Sequence, residues 1–157
     1  MAIKLFATDV DGTLTDAGMY YSESGEELKK FNTRDGMGLK LIQAEGVKTA
    51  IITSEDTQIV SRRAKKLGVD FLFQGKRPKL ETISELCQKL GITMGEVAYI
   101  GDDINDFDLL CAAGIKACPA DAVKKIAEIP NIIRLQKKGG EGAVREFIEI
   151  IFEKNLI

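Results

Sequence analysis

Histidine is absent from this chain of 157 residues. That excludes Ser-His-Asp and Cys-His catalysis and any His-ligated zinc site. Acid–base work falls to carboxylates, lysine, tyrosine or cysteine. Cysteine is scarce: Cys87, Cys111 and Cys118 form no C-x-x-C pair. Their apolar neighbours predict three buried, small hydrophobes in a reducing compartment. No basic block is found, and Lys+Arg 22 against Asp+Glu 24 leaves a net charge of −2. This balance argues against a nucleic-acid or membrane-surface partner. No apolar run approaches the roughly 18 residues that a membrane span needs. The N-terminal stretch Met1–Phe6 runs directly into Asp9 and Asp11 and does not read as a signal peptide. The expected location is the cytoplasm. Internal repeats, Pro-rich linkers and low-complexity tracts are also missing, so residues 1–157 read as one domain. A chain of this length can bury a core without disulfide or zinc staples.

Short apolar runs alternate with longer amphipathic stretches. Ile3–Ala7, Val47–Ile52, Phe71–Phe73 and Val97–Ile100 read as strands, with Ile115–Ala117 and Ile132–Ile133 as weaker ones. Between them, Asp35–Glu45, Thr57–Leu67 and Lys79–Leu90 carry helical spacing. In the last, Leu80, Ile83, Leu86, Cys87 and Leu90 share one face. Asn105–Ala113, Asp121–Ile129 and Gly142–Lys154 complete the helices. This alternation predicts an α/β, Rossmann-like three-layer sandwich around a parallel sheet. One segment departs from it. Met19–Tyr21 and Glu26–Phe31, around Ser24-Gly25, predict a β-hairpin flap at about 18–31.

Two acidic motifs follow predicted strands. In Asp9-Val10-Asp11-Gly12-Thr13, positions i and i+2 of an extended chain point to the same side. Two such carboxylates repel unless a cation lies between them, and Mg²⁺ suits oxygen donors. Gly12 allows a sharp turn whose N–H groups form an anion nest. The alternative is an ordinary Asp-Gly turn. Gly101-Asp102-Asp103-Ile104-Asn105-Asp106 ends the fourth strand and opens a helix. One of these acids can serve as a helix cap, but three carboxylates in so short a run exceed that need. Asp106 lies one turn beyond Asp102, so both can face one cavity. Parallel strands present their C-terminal ends along a single edge, where ligands bind. Asp9, Asp11, Asp102 and Asp106 are expected to converge there around Mg²⁺, the ion that a carboxylate cluster without histidine favours. Thr53 would bring a hydroxyl and free N–H groups at a helix start. Lys79 would bring a positive charge after a loop containing Gly75 and Pro78. Together these parts fit phosphoryl transfer. Asp9 attacks phosphorus, Lys79 and Mg²⁺ neutralise the phosphoryl oxygens, and Asp11 moves the proton.

The motifs D-V-D-G-T at Asp9–Thr13, Thr53 after A-I-I, Lys79 and G-D-D-x-x-D at Gly101–Asp106 resemble those of the haloacid dehalogenase superfamily of phosphatases. The resemblance implies Asp9 as nucleophile, Asp11 as general acid/base, and Thr53 and Lys79 as phosphate binders. It also implies Mg²⁺ on Asp9, the Asp11 carbonyl and Asp102, with Asp106 in support. T-D-A-G-M-Y-Y at Thr15–Tyr21, F-N-T-R-D-G-M-G at Phe31–Gly38 and G-G-E-G-A-V-R-E at Gly139–Glu146 resemble the cap-less branch acting on 3-deoxy-2-ulosonate sugar phosphates. That branch usually has Gly where this chain has Ala17. It implies a homotetramer in which the hairpin packs subunits together and a neighbour helps close each site. The octulosonate 8-phosphate enzymes carry Gly-Arg after the motif threonine, where this chain has Ser54-Glu55. Glu55, Arg63 and Lys66 instead look like the subgroup acting on nine-carbon acids, the 9-phosphates of deaminoneuraminate and N-acetylneuraminate. Arg63 and Lys66 would meet the sugar carboxylate, and Glu55 the hydroxyl or amide groups. An exposed helix with periodic charge is the plain alternative. The resemblance leaves two other outcomes open: an octulosonate 8-phosphate phosphatase of lipopolysaccharide precursor synthesis, and a non-catalytic tetramerisation module.

Overall fold

The computed structural model describes residues 2–75 and 78–157. Six strands form one parallel sheet: β1 (Leu5–Thr8), β4 (Lys48–Ile52), β5 (Phe71–Phe73), β6 (Val97–Ile100), β7 (Ile115–Cys118) and β8 (Ile133–Arg134). Their order is β5-β4-β1-β6-β7-β8, which puts β1 at the centre. The chain leaves β1 toward β4 and β5, then crosses back to β6 on the other side, so the ends of β1, β4 and β6 frame the crevice where the order reverses.

Alternation along β1 serves two cores. Phe6 packs with α1 (Thr33–Ala44), α2 (Gln58–Leu67) and α6 (Ala143–Glu153), and its ring centroid lies 5.6 Å from that of Phe147. Leu5 and Ala7 face α3 (Lys79–Leu90), α4 (Phe107–Ala112) and α5 (Lys124–Ala127). Each buried Leu, Ile or Phe contributes roughly 1.5–3 kcal/mol. The expected three-layer sandwich is the one observed.

The differences are local. A short 3₁₀ turn at Ile104–Asp106 replaces the first part of the predicted Asn105–Ala113 helix, because Asp103 and Asp106 form a reciprocal capping box. The predicted Asp121–Ile129 helix shrinks to α5. The Ala122 N–H folds back on the Pro119 carbonyl, and Asp121 accepts from the Gly139 N–H at 3.0 Å. The hairpin is brief, with β2 (Tyr20–Tyr21) antiparallel to β3 (Glu27–Leu28), and Phe31 forms a separate bridge to Thr15. Ala17, where the branch usually has Gly, sits at φ 63. That left-handed conformation costs a residue with a Cβ about 1 kcal/mol. Cys87 and Cys118 are buried as expected, but Cys111 is exposed, because it lies on the outer face of α4.

Candidate active site

Asp9 follows β1 directly and is 4% exposed. Lys79, the first residue of α3, reaches into the same buried space. Its Nζ donates to Asp9 Oδ1 at 2.5 Å and to Asp106 Oδ1 at 2.6 Å. Asp106 is saturated. Oδ1 also accepts the Tyr99 hydroxyl at 2.6 Å, and Oδ2 accepts the N–H groups of Asp102 and Asp103 at 2.9 and 3.2 Å. Asp106 therefore organises the site rather than offering a vacant oxygen. Asp103 caps the 3₁₀ turn through the Ile104 N–H.

Asp102 accepts the Thr13 hydroxyl at 3.2 Å. It lies so close to Gly12 that a Cβ there would stand 2.0 Å from Asp102 Oδ2, while Gly12 also takes φ +90. Gly101 is constrained likewise, since its Cβ would meet the Asp106 carboxyl carbon at 2.4 Å. Both motif glycines thus let a carboxylate approach the backbone.

The electrostatics follow from three carboxylates facing one ammonium. Burial, then the charge of Asp106, hold Asp9 well above the usual carboxylate range, and Lys79 offsets only part of this. Burial and Asp106 push Asp102 up to about 6. Burial alone would lower Lys79, but Asp9 and Asp106 outweigh it and raise its pKa. Burial and Asp106 likewise raise Tyr99. Single carboxylate oxygens of Asp9, Asp102 and Asp106 lie within 4.8 Å of one another. With Asp106 committed to its four donors, Asp9 and Asp102 remain as an all-oxygen pair. Burial and the charge of Asp106 disfavour ionisation of both, a cost that a divalent hard cation between them would offset. The residues fit Mg²⁺.

Asp11 departs from the expected arrangement. β1 ends at Thr8, so Asp9 and Asp11 are not paired on one strand face. Asp11 lies in a turn closed on itself. The Thr13, Leu14 and Thr15 N–H groups all bond the Val10 carbonyl, and the Gly12 N–H bonds the Thr15 hydroxyl. These N–H groups are spent inside the turn and form no open anion nest. The Asp11 carboxylate faces the hairpin, where Lys29 Nζ donates to it at 2.6 Å and to Glu55 at 2.9 Å. The Lys29 side chain is completely enclosed. Burial would lower its pKa, but Asp11 and Glu55 raise it instead.

Thr53 is buried at the end of β4 beside an open cleft of about 280 Å³ shared with Gln74, Gly75 and Thr82. Its N–H donates to the Phe73 carbonyl at 3.0 Å. α2 begins only at Gln58, capped by Thr57. Thr53 therefore presents its hydroxyl here, not the free N–H groups of a helix start. Glu55 stands at the site mouth, with its side chain 46% exposed. Arg63 and Lys66 do not reach this chain's own site. The Arg63 guanidinium donates to the Asn32 carbonyl at 3.2 Å and lies over the Phe31 ring. Lys66 sits in the last turn of α2, which runs away from the edge bearing Thr53.

Sequence reasoning missed Lys29 and Tyr99. The i, i+2 spacing of Glu27 and Lys29 in a predicted strand was the available signal for the first. Tyr99 reads only as a core position of β6.

A family model for haloacid dehalogenase-like hydrolase matches residues 35–114. The chain is 36% identical over 151 residues to the 3-deoxy-D-manno-octulosonate 8-phosphate phosphatase of Haemophilus influenzae, covering 96% of this chain and 83% of that protein. It is 39% identical to the Escherichia coli K12 enzyme of the same name, covering 95% of this chain and 79% of that one. The crystal structure of the Moraxella catarrhalis phosphatase of that name, in complex with magnesium, phosphate and KDO, superposes with TM-score 0.92 at 40% identity over 96% of this chain and 86% of that one. The cobalt-bound Haemophilus influenzae structure gives TM-score 0.90 at 36% identity, covering 96% and 88%. With the motif residues gathered at one sheet edge, these matches show that the chain belongs to the haloacid dehalogenase-like hydrolases, in their cap-less 3-deoxy-2-ulosonate phosphatase branch.

Proposed function

We propose that this chain is a Mg²⁺-dependent phosphomonoesterase acting on a 3-deoxy-2-ulosonic acid phosphate in the cytoplasm. One observation carries the reading: carboxylate oxygens of the buried Asp9 and the half-buried Asp102 lie within 4.8 Å of each other, with Lys79 bonded to Asp9. Asp9, the Asp11 carbonyl and Asp102 would hold the ion. Bound there, Mg²⁺ neutralises charge on the phosphoryl oxygens.

The chain's own residues do the rest. The phosphate enters between Lys79 and the Thr53 hydroxyl. Asp9 attacks phosphorus as the ester P–O bond breaks, and Asp11 gives its proton to the leaving alkoxide. Asp11 then takes a proton from the water that attacks the aspartyl-phosphate, and Asp9 is released with inorganic phosphate. The same intact network opposes the reading as a non-catalytic tetramerisation module.

Glu55 at the mouth, in place of the octulosonate enzymes' Gly-Arg, supports a nine-carbon substrate, the 9-phosphate of deaminoneuraminate or N-acetylneuraminate. Arg63 and Lys66 serve it only from a neighbouring subunit of a homotetramer, since their own site is out of reach. The second reading, octulosonate 8-phosphate, is favoured by the names of the relatives. Phosphate release from a panel of phosphorylated eight- and nine-carbon ulosonates tests both. Preference for a nine-carbon member is expected, and magnesium chelation should stop turnover. Preference for the octulosonate would reverse the assignment, and no release from any member or from p-nitrophenyl phosphate would leave the module.

A further inference from the structure

We propose that Lys29 is a positioning residue that aims the Asp11 carboxyl at the leaving group and couples it to Glu55. This rests on the phosphatase reading above. The turn holding Asp11 lies beyond β1, and among the described residues its backbone is fixed by bonds within Val10–Thr15, by the Gly140 N–H and by the Thr15–Phe31 bridge. Among the described residues, Lys29 supplies the hydrogen bond that holds the Asp11 carboxylate.

The lysine comes from a different element, directly after β3, and its side chain has no solvent exposure. It bonds Asp11 at 2.6 Å and Glu55 at 2.9 Å, with Glu27 at 3.4 Å. An ammonium enclosed by three carboxylates is not a solvated surface charge. The division of labour is clear: Lys79 holds the attacking carboxylate from the α3 side, and Lys29 holds the proton carrier from the flap side. Because Glu55 shares the same ammonium, a group that binds Glu55 at the mouth is felt at Asp11 through one atom. Lys29 keeps its proton throughout. The proton transferred is that of Asp11, which passes to the bridging oxygen as its bond to phosphorus breaks.

A general acid matters most when the leaving group is a poor one. An alkoxide needs the proton, whereas p-nitrophenolate leaves without it. The test measures, in single turnover with enzyme in excess, the rate of leaving-group release by wild type and Lys29→Met from an ulosonate phosphate and from p-nitrophenyl phosphate, alongside far-UV circular dichroism. This step precedes the hydrolysis in which Asp11 serves both substrates alike. Lys29→Met is expected to lower that rate for the ulosonate phosphate by roughly 10²-fold and for p-nitrophenyl phosphate by less than about threefold. Equal losses on the two substrates would show a merely structural tie and overturn the inference. If Lys29→Met does not fold, Lys29→Gln is read by the same ratio with the same two outcomes. In an Asp11→Asn background, the Lys29 substitution should add less than about twofold, since both changes remove one function. Full additivity would overturn the coupling. A wild-type protein that hydrolyses neither substrate would instead remove the phosphatase reading, and this inference with it.

Discussion

Asp35 shows how a buried carboxylate behaves when no lysine is supplied. It lies in the first turn of α1, fully buried, and its Oδ1 accepts the Arg145 N–H at 2.9 Å at the start of α6. Its Oδ2 and the nearby Arg63 Nε are both buried without a hydrogen-bond partner. Burial, only partly offset by backbone N–H groups of α6, lifts its pKa to about 6. The folded state thus holds this proton more tightly than the unfolded chain does. The stabilisation is complete below the ordinary value of 3.8 and is lost as pH rises through about 6. Asp35→Asn removes the titration. Relative to that variant, wild type is expected to lose roughly 2–3 kcal/mol of unfolding free energy between pH 4 and pH 7. Urea denaturation at both pH values measures it, and a difference that does not change with pH would contradict it. At this scale the sequence was legible where chemistry repeats in short motifs, as with Asp9, Asp102 and Asp106. It was not legible where function comes from a side chain crossing between elements. Lys29 and Tyr99 depend on which strand lies beside which, and Arg63 turns toward Phe31 instead of the site for the same reason.

The β2–β3 hairpin contributes two residue pairs and stands apart from the main sheet. A ribbon this short is marginal alone. Lys29 ties its base to the site, yet Tyr20, Tyr21 and Leu28 remain 51%, 68% and 66% exposed. An apolar surface of this kind on a flap is what subunit packing would cover. In sedimentation velocity the wild type is expected to run as a tetramer, and Tyr21→Asp with Leu28→Asp as a smaller species that keeps its helical content. A wild-type monomer would contradict this. Elements were legible where periodicity is strong: Phe71–Phe73, Lys79–Leu90 and Val97–Ile100 occur with the predicted bounds. They were misjudged where side chains compete with the helix, as Asp121 does for the Gly139 N–H and Asp106 for two others.

For the molecule as a whole, the sheet order does most of the chemical work. Placing β1 between β4 and β6 brings Asp9, Thr53 and Asp102 to one edge, although they are far apart in sequence. The alternation of strands and helices predicts such an edge, and right-handed crossovers limit how it can be assembled. It does not predict that Asp11 would turn toward the flap, because that depends on the turn closing on the Val10 carbonyl. The proposed chemistry requires Asp9 to accept phosphorus, and acid quenching of the enzyme in mid-turnover, followed by peptide mass mapping, measures that directly. One phosphoryl group on the peptide containing Asp9, formed only with magnesium present and absent from Asp9→Asn, is the predicted result. Label on any other residue, or phosphate release by Asp9→Asn at the parental rate, would contradict it.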